Sequence, residues 1–446
     1  MKKLLVLVLA LAMILTAMCG FASAEELSGT ITYMFWGSTV ERDIVEGICR
    51  SYEELHPGVT IETLYVPSEY DTKITTLVAA GEEPDLAYMN QRIAYSLAES
   101  GKLVNIKELA ASDPEFSFDD YVPGVWFALD ENNVIGRRVG IAAYCLYYNE
   151  DCLEAAGIEP YSTDWKNPMD WDTFVENCKK LTIDRNGKHP DEEGFDPDNI
   201  EQYGVSITKD RVMVLLAAAG INWTDDGVEW NFSSPEAIDV MQKISDLIHV
   251  HHVMPTPVQS ESLPGASVSL TSGMVASTID GNWNCADFAA AEANFNIGVI
   301  PAVNPEAYAV YEDCGPVVMF NSTDNLELTW DFYKYAINPQ YNDTFYSAGI
   351  SIPVLKDWLM DEEKLAQWTT NDAHPSGYVD GLLTPLVEAP IIKAPGDYVA
   401  NFAQQNDLFN AALDRILSGE STAEEVIKEV EPQIEALMQG AYTAGF

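Results

Sequence analysis

The sequence predicts an α/β protein built as two lobes. Its 446 residues are too many for one compact core, and a hydrophobic content of 47% is ample for two. The N-terminal part alternates short β-rich runs with apolar residues at helical spacing, the pattern of a mostly parallel sheet. Residue types suited to ligand contact fall where those strands end, which is where open α/β sheets bind their ligands.

The chain opens on a leader. Lys2 and Lys3 precede an unbroken apolar run, residues 4–15, and a small-residue stretch ends at Ala22, Ser23 and Ala24. This is the form of a secretory signal peptide, so residues 1–24 are expected to be removed, leaving a chain that starts near Glu25. Cys19 offers a rival reading as a lipid attachment site, but Met18 directly before it is too bulky for that pattern. No later segment supplies about 18 consecutive apolar residues, so an exported protein is expected, extracellular, surface-associated or periplasmic.

A formal net charge of −46 excludes a nucleic-acid backbone as partner, because that affinity comes from Lys and Arg. It argues against an anionic ligand as well. A neutral ligand fits better, and 21 Tyr, 16 Phe and 10 Trp supply flat faces for sugar rings, although most of these aromatics are expected in the core. Cys49, Cys145, Cys152, Cys178, Cys285 and Cys314 survive the expected cleavage. They are scattered through a chain large enough to need no staples, so buried free thiols are expected.

The first element is a β-rich run at residues 29–35. Val40, Ile44, Ile48, Tyr52 and Leu55 then repeat at helical spacing until Pro57 and Gly58 stop them. A second strand follows at 59–66, then a helix marked by Ile74, Leu77 and Val78 and ended by Gly81, and a third strand at 85–89 after Pro84. Trp36-Gly37-Ser38 and Asn90-Gln91 stand at two strand ends. Residues 140–148 read as a longer apolar strand, the first crossing between lobes, with a helix running on to Gly157. Helices are expected at 172–181, at 212–219 and from Ser234, which has Pro235 at its first position. A strand over 273–280 ends in Gly281-Asn282-Trp283. Gly419 stops one late helix, and Ser421 with Glu424 is expected to cap the last, which carries Val426, Ile427, Val430, Ile434 and Leu437.

The run Gly273-Met274-Val275-Ala276-Ser277-Thr278-Ile279-Asp280-Gly281-Asn282-Trp283 resembles the signature of family 1 extracellular solute-binding proteins of ABC transporters: a glycine, small and apolar residues, then a second glycine and a tryptophan at this spacing. Four other segments resemble the same family in the same order. They are Val59-Thr60-Ile61-Glu62 with Glu83-Pro84-Asp85-Leu86, Leu146-Tyr147-Tyr148-Asn149-Glu150 with Ala156-Gly157-Ile158, Gly349-Ile350-Ser351-Ile352-Pro353-Val354, and residues 417–425. Asp313-Cys314-Gly315 departs from the paired glycines that the family often shows there.

The resemblance implies a type II periplasmic-binding-protein clamshell, its two discontinuous lobes joined by two or three hinge crossings around a ligand cleft. The first lobe is expected over residues 25–145 and 312–362, the second over 146–311 and 363–446. A carbohydrate ligand, a membrane permease as partner, a monomeric state and no required cofactor follow from the same resemblance.

A sugar site needs an aromatic face for the ring and paired acceptors and donors for its hydroxyls. Trp36, Trp223 and Trp283 are the candidate aromatics, Asp85, Asn90 and Asn282 the candidate polar partners, and Tyr144 a candidate on the hinge side. Two features suggest a metal. His249, His251 and His252 cluster near a helix C-terminus, where cationic side chains are favourable without zinc. The loop of residues 182–193 places Asp184, Asn186, Lys188 and Glu193 at EF-hand offsets, with Thr182 in place of the first aspartate. It reads either as a structural calcium loop or as a solvated acidic loop. The rival functions are a secreted glycoside hydrolase, a binding protein for a peptide or polyamine, and a binding protein serving a sensor kinase.

Overall fold

Ser38 shows how local sequence starts the fold. It follows a β-rich run and precedes an apolar stripe, and its hydroxyl accepts the Glu41 backbone N–H at 3.2 Å, capping helix Thr39–Leu55. Val45, Ile48, Cys49 and Tyr52 form the buried face. Leu55, expected to continue that stripe, is exposed at the last turn. The computed structural model describes residues 27–442; the expected leader, residues 1–24, and Cys19 lie outside them.

The strands in chain order are β1 Ser28–Phe35, β2 Gly58–Tyr65, β3 Leu86–Tyr88, β4 Trp126–Asp130, β5 Asn133–Arg138, β6 Tyr144–Asn149, β7 Ile183–Asp184, β8 Ile200–Gln202, β9 Ser277–Gly281, β10 Phe295–Gly298, β11 Val310–Glu312, β12 Pro316–Met319 and β13 Ile391–Lys393. The first lobe is built on a sheet ordered β2-β1-β3-β12-β5-β4. β1 pairs in parallel with β2 along its whole length and with β3 at Tyr33 and Met34, as the β-α-β-α-β start predicts. β12 returns late in sequence and lies antiparallel between β3 and β5, so this lobe is discontinuous.

The second lobe has the sheet β10-β6-β9, antiparallel throughout. Its middle strand is buried on both faces. Tyr144, Leu146 and Tyr148 pack into the second lobe's main core, while Cys145 and Tyr147 face the opposite side with Cys285, Phe288 and Tyr378. Helices Phe402–Leu417 and Ala423–Glu435 close the lobe. The last helix is capped by the reciprocal pair Thr422 and Glu425, one residue beyond the expected Ser421 and Glu424.

Between β5 and β6 the predicted strand over 140–148 is broken. Residues 139–143 form a crossing that runs antiparallel to a second one at 312–315: Ala143 bridges Glu312, and the Val139 N–H donates to the Gly315 carbonyl at 3.3 Å. A third segment flanks the first, where Ile141 and Ile352 exchange backbone hydrogen bonds of 2.9 and 3.1 Å. Any side chain at Gly140 would collide with Ser351, so that residue type is required by the close approach. Helix Glu362–Thr369 buries Trp368 completely, and the indole N–H donates to the Trp358 carbonyl at 3.0 Å.

Candidate ligand cleft

Trp36 follows β1 directly and lines a cleft of about 670 Å³ between the lobes. Its ring rests on the edges of Tyr70 and Tyr88, with centroids 4.8 and 5.3 Å away. The Tyr70 hydroxyl is shared between the Met34 and Tyr88 carbonyls, which fixes the support behind the indole. Asn90 follows β3 into the same cleft and starts helix Gln91–Glu99 without a side-chain cap hydrogen bond. The first-lobe wall is therefore aromatic and polar at two adjacent strand ends, where the parallel pairing of β1 with β3 puts them.

From the other side come Tyr144, at the start of β6, and Trp283, after β9. Their rings meet edge to face at 5.5 Å. The Trp283 ring lies over Gly281, where no side chain could fit. Arg211 stands 5.1 Å from the Tyr144 centroid and 5.4 Å from that of Trp283, held by Asp210 and by Asp280 at 2.6 Å. Asn284 also lines the cleft; it is 8% exposed, and its Nδ2 has no hydrogen-bond partner.

Four carboxyls face this chamber: Glu41, Glu69, Asp287 and Asp313. Burial pushes the Glu41 carboxyl up to about 8, and the nearby Asp287 adds to the rise. Burial also raises Asp287, against the Ser38 hydroxyl across the cleft. Asp313 is raised by burial too, opposed by Arg138, by the Gln91 amide that donates to it at 2.7 Å, and by Arg211. A second chamber of about 400 Å³ joins the first at Asn90, Gln91, Tyr144 and Asp313 and carries Arg92, Lys209 and Arg211. Behind it the lobes are tied by Arg138 and Asp397, 2.5 Å apart, and by Gln91, which also donates to Asp397 at 3.1 Å. Burial lifts the Asp397 carboxyl to about 7 despite the arginine.

Thus Trp36, Asn90, Tyr144 and Trp283 come together in one cleft, and three other candidates do not. Asp85 stands at the opposite end of β3, where its carboxylate accepts the Thr32 N–H at 2.7 Å and its carbonyl accepts the Phe320 N–H at 3.0 Å. Trp223 is 1% exposed among Trp230, Phe232, Phe402 and Phe409, its indole N–H donating to Gln405 at 2.9 Å. Asn282 is fully buried at the hinge. It accepts the Ala143 N–H at 3.0 Å and donates to the carbonyls of Gly349 and Ile350, both at 3.1 Å, binding three hinge segments together.

The sequence reading missed Glu41, Asn284 and Asp287. Glu41 looks like an ordinary acid in a helix's first turn, and the other two lie just past the signature that ends at Trp283.

The acidic loop brings Asp184, Asn186 and Lys188 together by hydrogen bonds and leaves Glu193 apart. Asp184 is buried, and its carboxylate accepts the backbone N–H groups of Asn186, Lys188 and Asp196, each at 2.8 Å. Glu193 is exposed. Among the described residues no three His, Cys, Asp or Glu side chains converge on one point, the histidines of 249–252 included. All six cysteines there are free.

A sequence profile described as bacterial extracellular solute-binding protein matches residues 47–375, well over half of the chain. A binding protein of Brucella abortus is 21% identical over 406 residues, which cover 88% of this chain and 89% of that one. Among solved structures, the ABC substrate-binding protein Lmo0181 from Listeria monocytogenes, in complex with cycloalternan, superposes with a TM-score of 0.77. It is 19% identical and covers 92% of this chain and 99% of its own. The maltose-bound MalE3 of T. maritima gives a TM-score of 0.74 at 19% identity, with the same coverage.

Proposed function

The chain belongs to the bacterial extracellular solute-binding proteins, and we propose that its solute is a sugar or oligosaccharide, held in the interlobe cleft and handed unchanged to a membrane permease. The observation that carries this reading is the composition of the cleft. Trp36 from one lobe and Trp283 with Tyr144 from the other supply aromatic faces, while Asn90, Gln91, Asn284 and the carboxyls between them suit ring hydroxyls leaving water. Two joined chambers give room for more than one ring. Similarity to the cycloalternan and maltose complexes supports the same reading.

A ligand touching both walls stabilises the closed arrangement by the contacts it makes only there, and closure is the signal a permease reads. A glycoside hydrolase fits less well. Hydrolysis needs two carboxyls at a fixed separation across the bond, whereas Glu41 and Asp287 stand on different lobes, so their spacing changes whenever the cleft opens.

Thermal melts against a panel of mono- and oligosaccharides, peptides and polyamines test the proposal, followed by chromatography of the recovered ligand. A sugar that raises the melting temperature and returns intact supports it. A shift with peptides alone, or a cleaved sugar, overturns it.

A further inference from the structure

The chamber beside Trp36 carries carboxyls and aromatic rings, and among the described residues no Lys, Arg or His lines it. The nearby cations are engaged elsewhere: Arg42 is bound to its neighbour Asp43 at 2.6 Å, Arg211 to Asp210 and Asp280, and Arg138 to Asp397. Asp313 feels Arg138 and Arg211 in part. Glu41 and Asp287 feel no cation; what faces them is each other and the Ser38 hydroxyl. Glu41 folds back against Gly37, next to Trp36, and Asp287 lies on helix Asn284–Ala290 of the opposite lobe, which contacts the Glu41 helix, so the two carboxyls line one chamber from opposite sides.

A pair of this kind costs free energy in the closed form unless something neutral or positive lies between its members. A bound divalent cation is a poor occupant, because calcium takes six to eight oxygens and here two side chains converge. An organic ammonium suits the site: its N–H groups donate to both carboxyls, and its charge is favoured near the faces of Trp36 and Tyr70. Asn284 lines the same wall, and its buried Nδ2, without a partner among the described residues, leaves a donor for a ligand oxygen. One ligand carrying both an ammonium and ring oxygens answers both demands. The second chamber mixes Arg92, Lys209 and Arg211 with Asp210 and Asp407, so no such preference arises there.

Taking the cleft as a carbohydrate site, we propose that its Trp36 chamber selects an amino sugar, whose protonated amine bridges Glu41 of the first lobe and Asp287 of the second while Asn284 donates to a ring or hydroxyl oxygen.

The probes are sets of sugars that differ at one position: glucosamine, N-acetylglucosamine and glucose; galactosamine, N-acetylgalactosamine and galactose; and the β-1,4-linked di- and trisaccharides of glucosamine, N-acetylglucosamine and glucose. Affinity is read by calorimetric titration of the chain expressed from Glu25 near neutral pH. The amine member of at least one set is expected to bind about tenfold tighter or more than both its partners. In Glu41→Gln and in Asp287→Asn that margin falls below about threefold. The two changes lie on different lobes, so a variant that fails to melt cooperatively leaves the other to carry the test. Hydroxyl or N-acetyl forms binding as tightly as the amine in every set overturn the inference and leave the carbohydrate reading standing. Spermidine binding that both variants abolish, with no sugar bound, overturns the carbohydrate reading and supports the ammonium site alone. No binding by any probe overturns both.

Discussion

Trp223 and Trp283 belong to the same lobe and carry the same indole, yet one is core and the other is wall. Trp223 is surrounded by four aromatic rings, and its N–H reaches Gln405 far along the chain. Trp283 follows a strand that ends at the cleft, with glycine beneath it and the Arg211 guanidinium beside it. An indole becomes a cleft wall here because of where its strand ends; being large and aromatic is not enough.

The sharpest way to break this comparison is to remove each ring in turn. Trp223→Ala should cost about 3–5 kcal/mol of stability, as losing a large core side chain does, and leave the sugar affinity of the folded fraction unchanged. Denaturant unfolding beside a titration separates the two quantities. Trp283→Ala should do the reverse: a cooperative melt close to that of the parent, with affinity lower by about 2 kcal/mol, roughly thirtyfold. If Trp283→Ala unfolds and Trp223→Ala binds poorly while folded, the assignment of wall and core is inverted.

The same contrast explains what the sequence made legible. Strand ends could be read from β-rich runs bounded by Gly and Pro, so Trp36, Asn90 and Trp283 were placed by their positions next to such ends. Trp223, Asp85 and Asn282 have polar or aromatic side chains in plausible positions too. What decides their roles is a partner distant in sequence: Gln405, the Thr32 N–H, and the carbonyls of Gly349 and Ile350. Local pattern carries no trace of such partners. Asn282 is instructive because it sits inside the signature and adjoins a cleft residue, yet it rivets the hinge.

Glu41 sharpens the comparison between the walls themselves, since this first-lobe acid has no cation acting on it, whereas Asp210 and Asp280 of the second lobe are paired with Arg211. Because burial raises the folded-state value to about 8 from an ordinary 4.5, the folded chain holds this proton longer than the unfolded chain does. The stability associated with it is complete below about pH 4.5 and is lost as pH rises toward 8. Without ligand, Glu41→Gln should therefore match the parent near pH 4.5 and exceed it by a margin that grows as pH rises to 8.5, measured by denaturant unfolding. A parent and variant that lose stability in parallel across that range would place Glu41 in ordinary solvent.

The smallest effect is expected at the acidic loop, where Asp184 and Glu193 repeat the contrast between a residue's offset and its surroundings. EF-hand spacing puts both among calcium ligands, but coordination needs carboxylate lone pairs that are free and aimed at one centre. Asp184 spends its oxygens on three backbone N–H groups and the Asn186 amide, and these bonds join the loop's own backbone hydrogen bonds in holding the turn from Asn186 to Asp196. Glu193 is exposed and brings nothing to that centre. The loop is thus closed by an anion satisfied from within, and an ion would have to displace hydrogen bonds already made. Melting temperatures with excess calcium and with chelator should coincide, and Glu193→Gln should change neither. Asp184→Asn serves as the control that the loop matters at all. It loses charge-assisted hydrogen bonds and should cost about 1–2 kcal/mol with or without calcium. A melting temperature that calcium raises in the parent but not in Glu193→Gln would show that the loop rearranges around an ion after all.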